Sequence, residues 1–112
     1  MNSVISIMQN ALPCPVYANR TRNSGECCVY DFNTTGWNGS RRTVRMKTYI
    51  YADTMERGLK LQNMLDRALV PIGDNHLSAT ATNCVRNGGG WLSDGDRHIR
   101  IAYYDITLKG VI

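Results

Sequence analysis

The chain has 112 residues, of which 43% are hydrophobic and 20% charged, with 13 Lys and Arg against 9 Asp and Glu. This length suits a single domain over residues 1–112, and the composition excludes a disordered chain, which has few apolar residues and a high net charge. The net charge of +4 is too small by itself to indicate a dedicated nucleic-acid-binding protein.

The N-terminal segment is predicted to form a helix. Apolar residues recur at three- and four-residue spacing over residues 4–12, and Ser3 is a candidate N-cap. Pro13 and Pro15 cannot donate a backbone hydrogen bond into a continuing helix, so we expect the helix to end there. A short extended segment is expected over residues 16–19.

Two segments rich in aromatic and β-branched residues predict an antiparallel hairpin. The first strand is expected over residues 27–32. Over residues 43–52, apolar side chains alternate with Arg45, Lys47 and two tyrosines, which is the pattern of a half-buried strand. The turn-rich residues between them, 33–42, are predicted to form a long loop.

Residues 53–69 give the clearest helix pattern. Asp53 and Glu56 have the spacing of a capping box, and an apolar stripe extends from Leu61 to Leu69. Gly58 weakens this helix by about 1 kcal/mol relative to alanine.

A second strand pair is predicted over residues 77–86 and 98–109, with a glycine-rich loop over residues 87–97. The apolar positions of the last strand change phase, which predicts a β-bulge near Tyr104 or Asp105.

The order helix, strand pair, helix, strand pair predicts an α+β fold. We expect an antiparallel sheet of about four strands with two helices packed on one face. The other face would then carry Arg45, Lys47, Tyr49 and Tyr51, either toward solvent or toward a partner.

The sequence has no recognisable catalytic, phosphate-binding or zinc-binding motif, so we expect no enzyme, no cofactor and no metal. Asp94, Asp96 and His98 alternate and could bind a cation or act in acid–base chemistry if the segment were extended. Their glycine-rich setting favours turn chemistry instead.

The four cysteines are Cys14, Cys27, Cys28 and Cys84. Since the chain shows neither a signal-peptide pattern nor an apolar run long enough to cross a bilayer, we expect reduced, mostly buried thiols in a protein made in a cytosol. Cys27 and Cys28 are adjacent, so a strand would direct them to opposite faces.

Four large side chains in the two predicted loops are candidate interface residues: Trp37, Arg41, Arg42 and Trp91. Tryptophan and arginine are enriched at the energetic centres of interfaces, and the same pair can stack on bases and contact phosphate. A tryptophan that caps one end of the core is the structural alternative.

The layout resembles the tail-terminator, or tail-completion, proteins of long-tailed bacteriophages. The similar features are an N-terminal helix, the strand ECCVYDF, the strand RRTVRMKTYIYAD leading directly into MERGLKLQNMLDRAL, and the C-terminal strand HIRIAYYDITLKG. The four cysteines and the loop around Trp37 have no counterpart in this resemblance.

That resemblance implies a virion protein, assembled in the host bacterial cytoplasm, that forms a hexameric ring at the head-proximal end of the tail. Its partners would be further copies of itself, the tail tube protein and the head connector protein. DNA would only pass through the ring lumen, and no membrane, cofactor or catalytic residue is implied.

Three alternatives stay open at this point. The first is a neighbouring head–tail joining (neck) protein, and the second is a small basic nucleic-acid-binding protein that uses the tryptophans and arginines. The third is a metal-dependent hydrolase built on Asp94, Asp96 and His98.

Overall fold

The computed structural model describes residues 2–19, 25–38, 41–70, 81–94 and 97–109. The described residues form two helices and five strands. In chain order these are α1 (Asn2–Ala11), β1 (Val16–Ala18), β2 (Cys27–Asn38), β3 (Arg41–Ala52), α2 (Met55–Leu69), β4 (Ala81–Asp94) and β5 (Arg97–Lys109).

The strands form one mixed sheet in the order β1-β2-β3-β5-β4. The pairs β2–β3, β3–β5 and β5–β4 are antiparallel, whereas β1 is parallel to β2. The α+β class is therefore confirmed, but the expectation of about four antiparallel strands is wrong by one short parallel strand. Three residues are too few to show a strand periodicity, so the sequence indicated only an extended segment there.

Both helices contribute to one core on one face of the sheet. The buried cluster combines residues of α1 and α2 with alternate residues of the central strands, among them Val44, Met46, Ile50, Tyr104 and Ile106. The intervening residues of β3 and β5 belong to the opposite face, which we call the open face. No described helix packs on the open face.

The predicted loops are largely strand. The hairpin predicted to have its loop over residues 33–42 continues as β2 to Asn38 and resumes as β3 at Arg41, and β4 continues to Asp94. Asparagine and glycine have a weak intrinsic preference for strands, and the sequence pattern reflects only that preference. Hydrogen bonding to a neighbouring strand outweighs it at these positions. Residues 77–80, where the fourth strand was expected to begin, lie outside the described residues.

The prediction of a β-bulge on β5 is wrong, because the register irregularities lie on β2, between Thr34 and Gly36, and on β4, between Ala81 and Asn83 and between Arg86 and Gly89. The last of these is a bulge in the middle of β4. Arg86 is opposite Tyr104 and Gly89 is opposite Ala102, so β4 has one extra residue between these two pairs. Gly88 has a φ of 92°, and a side chain on Gly89 would collide with the carbonyl oxygen of Ile101, so the bulge requires glycine at both positions. The apparent phase change in β5 arises because this strand carries apolar residues on both faces.

The helix α2 begins one residue later than the predicted capping box requires. Thr54 is the N-cap, and its hydroxyl oxygen accepts a hydrogen bond of 3.1 Å from the backbone N–H of Arg57. Asp53 therefore lies outside the helix, and the prediction of an Asp53–Glu56 capping box is wrong. Aspartate and threonine are both good N-cap residues, and Asp53 and Thr54 are adjacent. The sequence therefore left the first residue of α2 uncertain by one position.

We expect Thr54→Ala to lower the free energy of unfolding by about 1 kcal/mol, because the N-cap hydrogen bond is lost. The matched control is Asp53→Ala, which should change it much less. Urea denaturation of both variants checks this, and an equal loss in the two would show that Asp53 shares the capping role.

Gly58 lies where α2 packs against Trp91 of β4. It is buried, and a Cβ atom at this position would lie 3.0 Å from Cη2 and 3.2 Å from Cζ3 of Trp91. Glycine has a low helix propensity, but because it has no side chain it leaves room for the indole of Trp91 to pack against α2.

We expect Gly58→Ala to destabilise the protein by about 1 kcal/mol, although alanine is the better helix former, because the added methyl group overpacks the contact with Trp91. The control is Asn63→Ala on the exposed side of α2, which should be neutral or slightly stabilising. Thermal and urea unfolding give the comparison, and a gain in stability at Gly58→Ala would mean that the indole can move away without cost.

Candidate interaction surfaces

The four predicted interface residues are divided between opposite ends of the sheet. Trp37 is opposite Arg42, and Asn38 is opposite Arg41, at the far end of the β2–β3 hairpin. Trp91 is opposite Arg100, which in turn is opposite Ile50. The eight residue steps of β3 from position 42 to position 50 separate the two groups by about 26 Å along the strand. One contact surface centred on both tryptophans is therefore not formed within a single copy.

Trp91 is half-buried and belongs to the helix-covered side of β4. Besides its contact with Gly58, its ring lies 5.0 Å from the guanidinium carbon of Arg100 and makes an edge contact with His98. These contacts fix the indole between helix and sheet, in agreement with the structural alternative for this tryptophan. Arg42 is half-buried near the other end of the sheet.

A polar cluster lies beneath α2, between the helix and β4–β5. Asp66 accepts hydrogen bonds from the hydroxyl of Tyr104 at 2.5 Å and from the side chains of Gln62 and Arg86 at 3.3 Å each. Arg100 donates to the amide oxygen of Gln62.

The pKa values of this cluster follow its burial. Burial, together with the hydrogen bond to Asp66, raises the pKa of Tyr104 above its usual range, and burial lowers the pKa of Arg100. Among the described residues, no buried side-chain nitrogen or oxygen lacks a hydrogen-bond partner. The cluster is therefore a satisfied network that holds α2 in position, and the sequence pattern did not identify it because its members lie far apart in the chain.

The open face is apolar and aromatic along its centre. Val29, Ile99 and Ile101 are 2%, 7% and 9% exposed, although no described helix covers them. Tyr49 is directly opposite both Val29 and Ile101, and Tyr51 is opposite Ile99, so these half-buried tyrosines flank the aliphatic side chains. The aliphatic side chains are therefore shielded in the monomer, and the half-buried tyrosine rings are the part of this face that a partner can contact.

The charged residues of the open face are mostly paired within the chain. Arg45 donates to Asp105 at 3.0 Å, and this hydrogen bond, together with that of Asn87, lowers the pKa of Asp105. The guanidinium carbon of Arg97 lies 4.6 Å from the ring centre of Tyr51. Lys47 is directly opposite the acidic Asp31.

The two edges of the sheet are unlike. On one side the three residues of β1 accompany β2 over Cys28–Tyr30, and Asn19, with a φ of 66°, follows them. On the other side the outer strand is β4, which has 14 residues. An edge this long presents a row of backbone donors and acceptors to a further strand.

The predicted acid–base trio does not form a described site. Asp94 ends β4 and His98 lies in β5, where its ring contacts Trp91, while Asp96 and the side chain of Asp94 lie outside what the structure describes. Within the described part of the chain, no group of three or more His, Cys, Asp or Glu residues has the arrangement of a metal site. No described helix is both long and apolar enough to span a bilayer.

All four cysteines are free thiols and buried. Cys28 belongs to the core beneath the helices, whereas Cys27 pairs with Tyr51 of the open face, so the two point to opposite sides as predicted. Burial raises the pKa of Cys14 to about 11 and that of Cys84 to about 12, and it also raises the pKa of Cys27 and Cys28. These thiols are therefore poor nucleophiles in the folded protein.

We expect the four thiols of the native protein to react very slowly with a chromogenic disulfide reagent at pH 8, because a thiol with a pKa near 11 is roughly 0.1% ionised there and is also shielded. All four should react rapidly in denaturant. A cysteine that reacts at the unfolded rate without denaturant would contradict the burial seen here.

Compared with known proteins, the sequence matches no family model and no curated protein. The resemblance to tail-terminator proteins therefore stays a prediction that rests on the layout of the elements.

Proposed function

We propose that this chain is a structural assembly protein that oligomerises head to tail into a ring, caps a phage tail tube and joins it to the head connector. The ring would be located in the virion tail, and it would bind the tail tube protein and the head connector protein. A neck protein at the same junction would have similar contacts, and the partners that bind in solution distinguish the two.

The observation that carries this proposal is the group of half-buried tyrosines on the open face, Tyr49, Tyr51 and Tyr103. The aliphatic residues between them are already buried in the monomer, so a partner on this face would remove mainly the tyrosine rings from water. Aromatic side chains contribute much of the binding energy of protein interfaces. Charged side chains that are already paired within the face lower the desolvation cost of covering it.

The unlike sheet edges support the ring. A closed ring requires a heterologous contact, in which one surface of a copy meets a different surface of the next. A short edge at β1 and a long edge at β4 are two such different surfaces on opposite sides of one molecule.

Single-stranded nucleic-acid binding is the second candidate, and the open face rather than the two tryptophans favours it. Tyr49, Tyr51 and Tyr103 share this face with Lys47, and aromatic rings on a sheet can stack on bases. Two of the nearby cations, Arg45 and Arg97, are engaged with Asp105 and Tyr51, which leaves less positive charge for phosphate.

The test is the mass of the purified chain, alone and with tail tubes of the same phage, by light scattering and electron microscopy. We expect a ring of about six copies, in solution or at one end of each tube, as closed cyclic assemblies form from heterologous contacts. Tyr49→Asp on the open face should weaken attachment to the tube, whereas Asn63→Asp on the exposed side of α2 should not.

A chain that stays monomeric in both samples and does not bind tubes would refute the assembly proposal. Binding to single-stranded DNA at low micromolar protein, with an affinity that falls steeply as salt is raised, would favour the second candidate.

A further inference from the structure

The outer strand β4 lacks two of the features that protect an edge strand from pairing with another chain, proline and lysine. It exposes two large aliphatic side chains, Val85 (51% exposed) and Leu92 (53% exposed). Both residues lie on the open face, since Val85 is opposite Asp105 and Leu92 is opposite Ile99. The opposite edge at β1, in contrast, is short.

Strand direction determines how two copies could share a sheet. Successive antiparallel pairs make β4 run opposite to β2, and β1 is parallel to β2. If neighbouring copies are related by rotation about an axis roughly along the strands, the β4 edge of one copy meets the β1–β2 edge of the next in antiparallel orientation.

The strand registers show which residues of the two sheet edges lie at the same height along the strands, and would therefore meet between two copies. Val85 is opposite Asp105, Asp105 is opposite Arg45, and Arg45 is opposite Asn33. Val85 and Asn33 therefore lie at one level on the two outer sides of the sheet, and both are exposed.

The outlines of the two edges also match. On one side of the sheet, β1 is the outer strand only as far as the pair Ala18–Tyr30. From Asp31 onward β2 has no described outer strand, so the edge of the sheet has a step at this point. Following the register from Tyr30 through Thr48 and Ala102 leads to Gly89, which ends the β4 bulge. The bend in β4 thus lies at the level of the step in the opposite edge.

We propose that a second copy of this chain occupies the β4 edge: residues 81–86 of one copy pair antiparallel with residues 32–37 of β2 in the next, with Val85 beside Asn33. This contact rests on the proposed head-to-tail assembly and specifies its surfaces. It buries the exposed side chain of Val85 and pairs the outer backbone groups of these two stretches.

The experiment uses Val85→Cys and Asn33→Cys, two substitutions at exposed positions. Because the four native thiols are buried, a short bismaleimide should react with the introduced cysteines selectively. We expect a crosslinked dimer when the two variants are mixed and allowed to exchange, and loss of that product when either variant is treated alone. The double variant should give a ladder of crosslinked oligomers.

The matched control replaces Val85→Cys with Leu92→Cys, which lies about 20 Å further along the same strand and should not crosslink to Asn33→Cys. Circular dichroism verifies that each variant is folded, and the wild-type mass is measured in the same buffer, with and without tubes.

Each other result has a definite meaning. Crosslinking of Val85→Cys with itself would overturn the proposal in favour of a two-fold contact between β4 strands. Assembly of the wild type without any crosslink in the mixture would overturn the edge contact and leave the proposed function standing. A wild-type protein that remains monomeric with and without tubes would refute both the edge contact and the proposed function.

Discussion

The packing of α2 on β3 and β5 is the interaction on which the rest of the structure depends. Leu61, Leu65 and Leu69 are fully buried against the central strands, so the helix determines which face of the sheet becomes the core. α1 packs into the same cluster through Val4 and Met8. Because the apolar surface of both helices is used on one side, the other side of the sheet has no helix packed on it among the described residues.

Two specific contacts fix the position of α2 within that packing. Gly58 allows the indole of Trp91 to approach the helix backbone, and Asp66 receives the hydroxyl of Tyr104. A buried hydroxyl or carboxylate without a partner costs about 1–3 kcal/mol, so a helix shifted by one turn would lose these bonds as well as its apolar contacts. The polar cluster therefore favours one orientation among several that apolar packing alone would permit.

The position of α2 also divides the side chains of β4 and β5 into those that contact the helix and those that lie on the open face. Trp91, Arg100 and Tyr104 face α2 and are occupied there, whereas Leu92, Ile99 and Ile101 face the uncovered side. The proposals for assembly follow from this separation, since they use the open face and the outer edge of β4 and leave the contacts beneath α2 intact. The edge contact also buries the exposed aliphatic side chain of Val85.

The sequence by itself determined the fold class, the order of the elements and the core stripes of α2 and β3, because helical and strand periodicities are local properties of segments such as the 15 residues of α2 and the 12 residues of β3. It did not determine the parallel strand β1, the bulge on β4 or the strand character of residues 33–38, since these depend on pairing between distant segments. Of the candidate site, it selected Trp91 for its residue type but could not show that α2 covers it. Only the tertiary structure decided which aromatic residues are internal, because burial depends on what lies across the sheet and not on neighbours in the chain.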